Sequence, residues 1–319
     1  MAPAASNPFD DHHHHTMSST TVCVMDASGH LGSTLVWRLV QRGYTVHAAL
    51  QSHGESKLDS VTFENNKRLK IFHLDPFDYQ SIVDALKGCS GLFYTFEPPQ
   101  DQPDYDSYAA EEEVRAAHNV LEACTRTETI DKVVLTSSVT AVVWRNDRSS
   151  NKTTAVTAEL DERHWSDVNF CHKFKLWHAL SKTLAEKTAW AMAMDRGLNM
   201  VSMNVGLMLN PDLSITNPYL KGAAEMYEDG VLATVDVNFV ADAHICVYED
   251  VTSFGRYLCF NNIITQSEDA INLARKLTPS TPASLPQSNG QDVKIIQERI
   301  SNKKLNKLMV GYESISQVS

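Results

Sequence analysis

Residues 21–43 read TVCVMDASGHLGSTLVWRLVQRG. The first five residues are a short apolar run, and from Ser33 onward apolar side chains recur at helical spacing until Gly43, a natural C-cap. The expectation is strand, glycine turn, helix. The turn reads Asp26-Ala27-Ser28-Gly29-His30-Leu31-Gly32, a G-x-x-G-x-x-G pattern with aspartate in place of the first glycine. In a dinucleotide site one glycine makes the bend, one lets the backbone approach the pyrophosphate and one lets helix and strand pack closely. Amides at the helix N-terminus then hold the phosphates. Ser28, Gly29, His30, Leu31 and Gly32 are therefore the candidate phosphate-side residues. Asp26 works against them: at ~6–8 Å and an effective dielectric of ~20, its carboxylate would repel a phosphate charge by roughly 2–3 kcal/mol. Turning the carboxylate away or protonating it would relieve this, so binding is weakened and not excluded.

Working outward, the same alternation continues. YTVHAAL (44–50), LKIFHLD (69–75), GLFYTF (91–96), KVVLTSS (132–138) and NMVSMNVGLML (199–209) read as strands. Helical patterns over 78–88, 104–126 and 172–196 lie between them, and a further polar helix is expected after the second strand. This predicts an α/β fold, a doubly wound parallel sheet of Rossmann type. Residues 21–204 form the expected dinucleotide-binding domain, with a return to the sheet over about 234–262. Residues 205–233 and 263–319, where regularity fades, are expected to form a smaller substrate lobe over the carboxyl ends of the strands. Residues 1–20, rich in Pro, Asp, His and Ser, are expected to be disordered, and the tract His12–His15 reads as solvated, without flanking ligands for a metal.

The 319 residues are enough for a sizeable core, and 43% hydrophobic with 21% charged residues is ordinary for a globular protein. A net charge of −11 argues against nucleic acid or an anionic membrane as partner. No apolar run approaches the ~18 residues of a membrane span, and a signal-peptide pattern is lacking. The six cysteines are scattered without Cys-x-x-Cys spacing, as expected for reduced, buried thiols in a cytoplasmic protein.

Coenzyme choice is read after the second strand, where an acid favours NAD and an arginine NADP. Here the chain has Leu50-Gln51-Ser52-His53, with neither, and Lys57 close by. The absence of an acid leans towards NADP, with Gln51 and Lys57 as candidate contacts. Asp75, ending the third strand, could accept from an adenine amino group or cap the strand end before Pro76.

Residues 159–190, ELDERHWSDVNFCHKFKLWHALSKTLAEKTAW, hold His178 and Lys182 four apart on one helical face, with Phe174, Trp177 and Leu184 as expected packing residues. The segment from Trp165 resembles the active-site segment of plant cinnamoyl-CoA reductases, which read Trp-Ser-Asp, Phe-Cys, then Asn-Trp-Tyr-Cys-Tyr-Gly-Lys. VCVMDASGHLG, NVLEAC, KVVLTSSVTAV, DVNFVADAH and QERISNKKLNKL match other pieces of this group, which with the dihydroflavonol reductases belongs to the extended short-chain dehydrogenase/reductases. The resemblance spans roughly residues 20–310. It places the family's catalytic Ser on Ser138, its Lys on Lys182 and its Tyr on His178. The first glycine falls on Asp26 and the phosphate-binding Arg on Gln51.

The resemblance implies reduction of a small phenylpropanoid or acyl-CoA carbonyl by NADPH, in lignin or defence metabolism. Ser would hydrogen-bond the carbonyl oxygen, and Lys would hold the nicotinamide ribose and lower the pKa of the Tyr that gives the proton. His178 could replace that acid, although Lys182 and an oxidised nicotinamide push it towards its neutral form, and its ring is shorter than a tyrosine by roughly 2 Å. The alternative is an impaired or inactive reductase fold that binds a ligand or a protein partner in plant defence.

Overall fold

A computed structural model describes residues 20–51, 67–96, 105–145, 159–278 and 296–316. Lys57, the polar helix expected after the second strand and His12–His15 lie outside these residues.

The main sheet has seven strands, all parallel, in the order β3-β2-β1-β4-β5-β6-β9. They are β1 (Thr21–Met25), β2 (Thr45–Gln51), β3 (Leu69–Leu74), β4 (Gly91–Tyr94), β5 (Lys132–Ser138), β6 (Met200–Val205) and β9 (Gly255–Cys259). Central strands carry apolar side chains on both faces because helices cover both, so β4 is buried along its whole length. The edge strand β3 is covered only in part and exposes Ile71 and His73 on one face and Lys70 on the other. One face carries α1 (His30–Gln41) and α8 (Val237–Glu249); the other carries α2 (Tyr79–Leu86), α3 (Ser107–Thr125) and α6 (Trp177–Arg196). The expected doubly wound architecture is present. Strand order reverses between β1 and β4, and there Thr95 Oγ1 donates to the Met25 carbonyl at 3.1 Å. A crevice at the carboxyl ends of these two strands is where such a sheet takes a ligand.

Two local readings need correction. The run 199–209 is not one strand. It breaks at Gly206, and β7 (Leu207–Leu209) joins a separate three-stranded sheet with β8 (Ala233–Asp236) and β10 (Asn262–Ile263). A Cβ on Gly206 would lie 2.9 Å from the Ala233 carbonyl oxygen, so only glycine lets the chain pass this close when changing sheets. The helix expected over 172–196 is two helices, α5 (Val168–Lys173) and α6, separated where Lys175 takes a left-handed φ of 53°. Phe174 falls in that break and is 51% exposed. Trp177 and Leu184 pack on the core as expected, partly buried, and the fully buried residues of α6 are Ala179, Leu180, Ser181, Lys182, Thr183, Ala185, Glu186, Ala189 and Ala193. Small residues let α3 approach closely, and two buried charges lie on the same face.

One of them, Glu186, ties four elements together. It accepts from Ser137 Oγ at 2.7 Å, Asn204 Nδ2 at 2.7 Å and Arg256 Nε at 2.8 Å, joining α6 to β5, β6 and β9. Arg256 also stacks 3.6 Å over the Trp165 ring. The last helix, α10 (Lys303–Ser316), packs on α8 and β9 through Leu305 and Met309. The described cysteines are free and buried. No described helix is long and apolar enough to cross a membrane.

Candidate active site

The glycine turn is formed by β1 running into α1. Gly29 is the N-cap residue of α1, with no side-chain cap bond and no acid in the helix's first turn. Gly32 is indispensable to the packing: a Cβ there would meet the Asp26 carbonyl oxygen at 2.1 Å and the Ala27 Cα at 2.8 Å. Leu31 is buried in the core, the His30 ring bonds Asp212 at 2.8 Å, and Ser28 Oγ donates to Asp26 Oδ1 at 3.2 Å. What this turn offers a pyrophosphate is therefore its backbone. Asp26, in the first glycine's place, adopts φ 61°, a left-handed value that glycine takes at no cost, and is 5% exposed. The cradle fits a dinucleotide in shape, with one carboxylate at its edge.

Gln51 ends β2 beside Leu74 of β3, at the carboxyl side of the sheet. Asp75 follows, and its Oδ1 accepts from the Phe77 amide at 2.8 Å. This bond makes the strand-end turn, one of the two readings weighed for Asp75.

Ser138, His178 and Lys182 come together at the carboxyl end of β5 and the start of α6. Ser138 ends β5, where Asn204 Nδ2 holds its carbonyl at 3.2 Å. Its Oγ accepts from the Thr140 hydroxyl at 3.0 Å, and Thr140 Oγ1 lies 3.1 Å from His178 Nδ1. Ser138 and His178 thus meet through Thr140. Lys182, one turn along α6, pairs with Glu113 Oε1 at 2.6 Å and donates to the Phe96 carbonyl at 3.1 Å. Glu113 Oε2 also accepts from the Tyr105 hydroxyl at 2.7 Å and from Ser181 Oγ at 2.8 Å. The lysine charge is met by a buried carboxylate.

This environment decides the state of His178. Burial, first, and the Lys182 cation, second, lower its pKa from 6.5 to about 3. The ring borders a cavity and is neutral at working pH. Tyr105 is pushed the other way, far above the usual phenol range, by burial and then by Glu113. The two rings sit edge to face at 6.0 Å, and Tyr219 is 5.9 Å from His178 on another side.

A cavity of about 810 Å³ opens at His178. Its walls are mainly apolar: Trp177, Ile215, Leu220, Tyr227, Leu232, Leu273 and Leu277, with Lys175, Lys221 and Asn217 among the polar lining. That volume suits a ligand of aromatic-acyl size.

The sequence reading missed Thr140, Glu113 and Tyr105. A signal existed for Glu113, which falls on the same helical stripe as the buried Ala109, Ala116, Ala117 and Val120. An acid on an apolar stripe is buried and must have a partner.

An NAD(P)H-binding family model matches residues 27–168. The chain is 33% identical over 311 residues to cinnamoyl-CoA reductase 1 of Petunia hybrida, covering 94% of this chain and 90% of that relative. It is 35% identical over 276 residues to tetraketide alpha-pyrone reductase 1 of Arabidopsis thaliana, covering 82% of each. Among solved structures, vestitone reductase from alfalfa shares the fold, with a TM-score of 0.67 at 24% identity over 90% of this chain and 91% of that one. The glycine cradle, the serine and lysine at the sheet's carboxyl edge and these relatives agree: the chain belongs to the cinnamoyl-CoA reductase group of the extended short-chain dehydrogenase/reductases and is an NADP-dependent oxidoreductase.

Proposed function

We propose that this protein reduces the carbonyl of a phenylpropanoid acyl-CoA thioester, or a related phenolic carbonyl, in lignin or defence metabolism, and works in the cytoplasm. What supports the reading is that Ser138 and Lys182, the family's serine and lysine by resemblance, gather at His178, whose ring borders an apolar cavity. Most of the cavity lining comes from residues 215–232 and 270–277, within the two stretches 205–233 and 263–319 that we assign to a substrate lobe. The backbone of residues 28–32, Gln51 and Lys182 would hold the dinucleotide, with Lys57 and Asp75 as further contacts.

NADPH, when bound, supplies a hydride to the carbonyl carbon. The protein's own task is the oxygen. Ser138 offers it a hydroxyl, and Lys182 supports the nucleotide side while paired with Glu113. A neutral histidine with pKa about 3 is a poor proton donor at pH 7. A thioester suits such a site better than a ketone does. Its oxyanion is relieved by expelling the thiolate, which takes its proton from water, whereas a ketone's alkoxide must be given a proton in place.

Turnover is expected to be slow with cinnamoyl-CoA and NADPH, and His178→Tyr should raise kcat at least about tenfold by restoring an acid, since one positioned acid is worth ~10²–10⁴. Wild type and variant both failing to oxidise NADPH would sink this reading in favour of a binding protein. Asp26→Gly should tighten NADPH by about tenfold or more in calorimetry, because it removes a charge repulsion of roughly 2–3 kcal/mol and a left-handed aspartate. Unchanged affinity would mean that the carboxylate points away from the phosphates.

A further inference from the structure

The contacts at Ser138 have a direction. Its Oγ accepts from the Thr140 amide at 3.2 Å and from the Thr140 hydroxyl at 3.0 Å. Two accepted bonds occupy both lone pairs, and the hydrogen of Ser138 is the part left for a ligand. Thr140 has a single hydroxyl hydrogen. Once given to Ser138, it leaves Thr140 only lone pairs for the contact with His178 Nδ1 at 3.1 Å. Nδ1 must then carry the ring proton, and in a neutral ring Nε2 is the bare nitrogen.

We propose that His178 and Thr140 are positioning residues arranged as a relay: His178 Nδ1–H donates to Thr140, Thr140 O–H donates to Ser138, and Ser138 presents its hydrogen to the carbonyl oxygen in one fixed direction. The last step rests on the reductase reading above; the first two rest on geometry. A purely structural role is the competing account, because Thr140 is also the first residue of the short helix α4 (Thr140–Val143) and its amide is capped by Ser138. That account needs the amide bond alone. It gives no reason for the buried threonine hydroxyl to bridge two site residues, both of which lie at the reacting end of the sheet.

The relay also gives residue 178 a task that its chemistry permits. A histidine held neutral cannot serve as the acid, but it is a rigid donor. Its ring is flanked by Tyr105 and Tyr219, which restrict its rotation. With three hydrogens in series, the serine loses the freedom to turn its own hydrogen back into the protein, and an oriented donor at a developing oxyanion is worth more than a freely rotating one.

The test uses the full chain labelled with ¹⁵N at histidine, with His178 assigned by its absence in His178→Asn. Nitrogen–proton correlation spectra at neutral pH should show His178 protonated at Nδ1. In Thr140→Val, which keeps the shape and removes the hydroxyl, the population should move towards Nε2–H. With NADPH and cinnamoyl-CoA, the same variant should lose about tenfold in kcat while KM stays within about twofold. Thr140→Ser should return kcat to within about twofold of wild type. An Nε2–H ring in the wild type, or a Thr140→Val enzyme with wild-type kcat, overturns the relay. If the wild type turns over no cinnamoyl-CoA, the reductase reading falls, and the ring tautomer still decides the relay.

Discussion

Lys182→Met is expected to lower the stability of the folded protein by about 3 kcal/mol, read by chemical denaturation. The reason is not the lost lysine but the glutamate it leaves. Glu113 is buried, and Lys182 Nζ lies 2.6 Å from its Oε1. Removing one partner of a buried pair strands the other charge, which costs ~3–5 kcal/mol. Tyr105 and Ser181 still donate to Glu113 Oε2, which holds the loss at the lower end. Adding Glu113→Gln to Lys182→Met removes the stranded charge and should regain about half of the loss or more, since the cost belongs to the unpaired ion. A single-variant loss under about 1 kcal/mol would mean that the pair behaves as a surface ion pair.

Gly32→Ala is expected to cost about 3 kcal/mol or more and to weaken NADPH at least about tenfold. Each atom that the new methyl would meet belongs to the backbone of the glycine turn: the Asp26 carbonyl oxygen at 2.1 Å, the Ala27 Cα at 2.8 Å and the Asp26 carbonyl carbon at 2.9 Å. No flexible side chain can move aside, so the start of α1 must shift against β1, and the same shift spreads the phosphate cradle. Gly311→Ala in α10 is the control. Nothing lies within 4 Å of its new Cβ, and filling a helix-interior glycine should stabilise by roughly 0.5–1 kcal/mol. Denaturation curves and NADPH calorimetry on the two variants read both effects. Wild-type affinity in Gly32→Ala would show that the turn is not the phosphate site.

The sheet was legible because its signals are local. β1 and β5 are short apolar runs that can be read alone, and the glycine turn fixes how β1 meets α1; of the expected return segment only β9 joins the main sheet. The errors sit where a distant contact overrides local pattern. The apolar run 199–209 looks continuous, yet Gly206 must pass close to Ala233, which no spacing reveals. Phe174 fits a helical stripe, but the left-handed Lys175 ends α5 just beyond it. At the site, Ser138, His178 and Lys182 could be named from motif positions. Thr140 could not, because its part depends on the angle between the end of β5 and the first turn of α6. Glu113 could have been read as buried, although its partner across α6 is a tertiary fact.

Most of the cavity wall and most of the site cluster come from different stretches of the chain, with His178 common to both. Ser138, Thr140, Glu113 and Lys182 sit on β5, α4, α3 and α6, whereas most of the lining comes from residues 215–232 and 270–277. Those two stretches lie outside the seven strands, and the chain reaches the first of them through the glycine at 206. Inherited change can therefore accumulate in the wall without disturbing the serine, the lysine or the nucleotide cradle. A lineage carrying this scaffold can exchange one small-molecule substrate for another by redrawing these two stretches, and its descendants would differ most where they meet the molecule they act on.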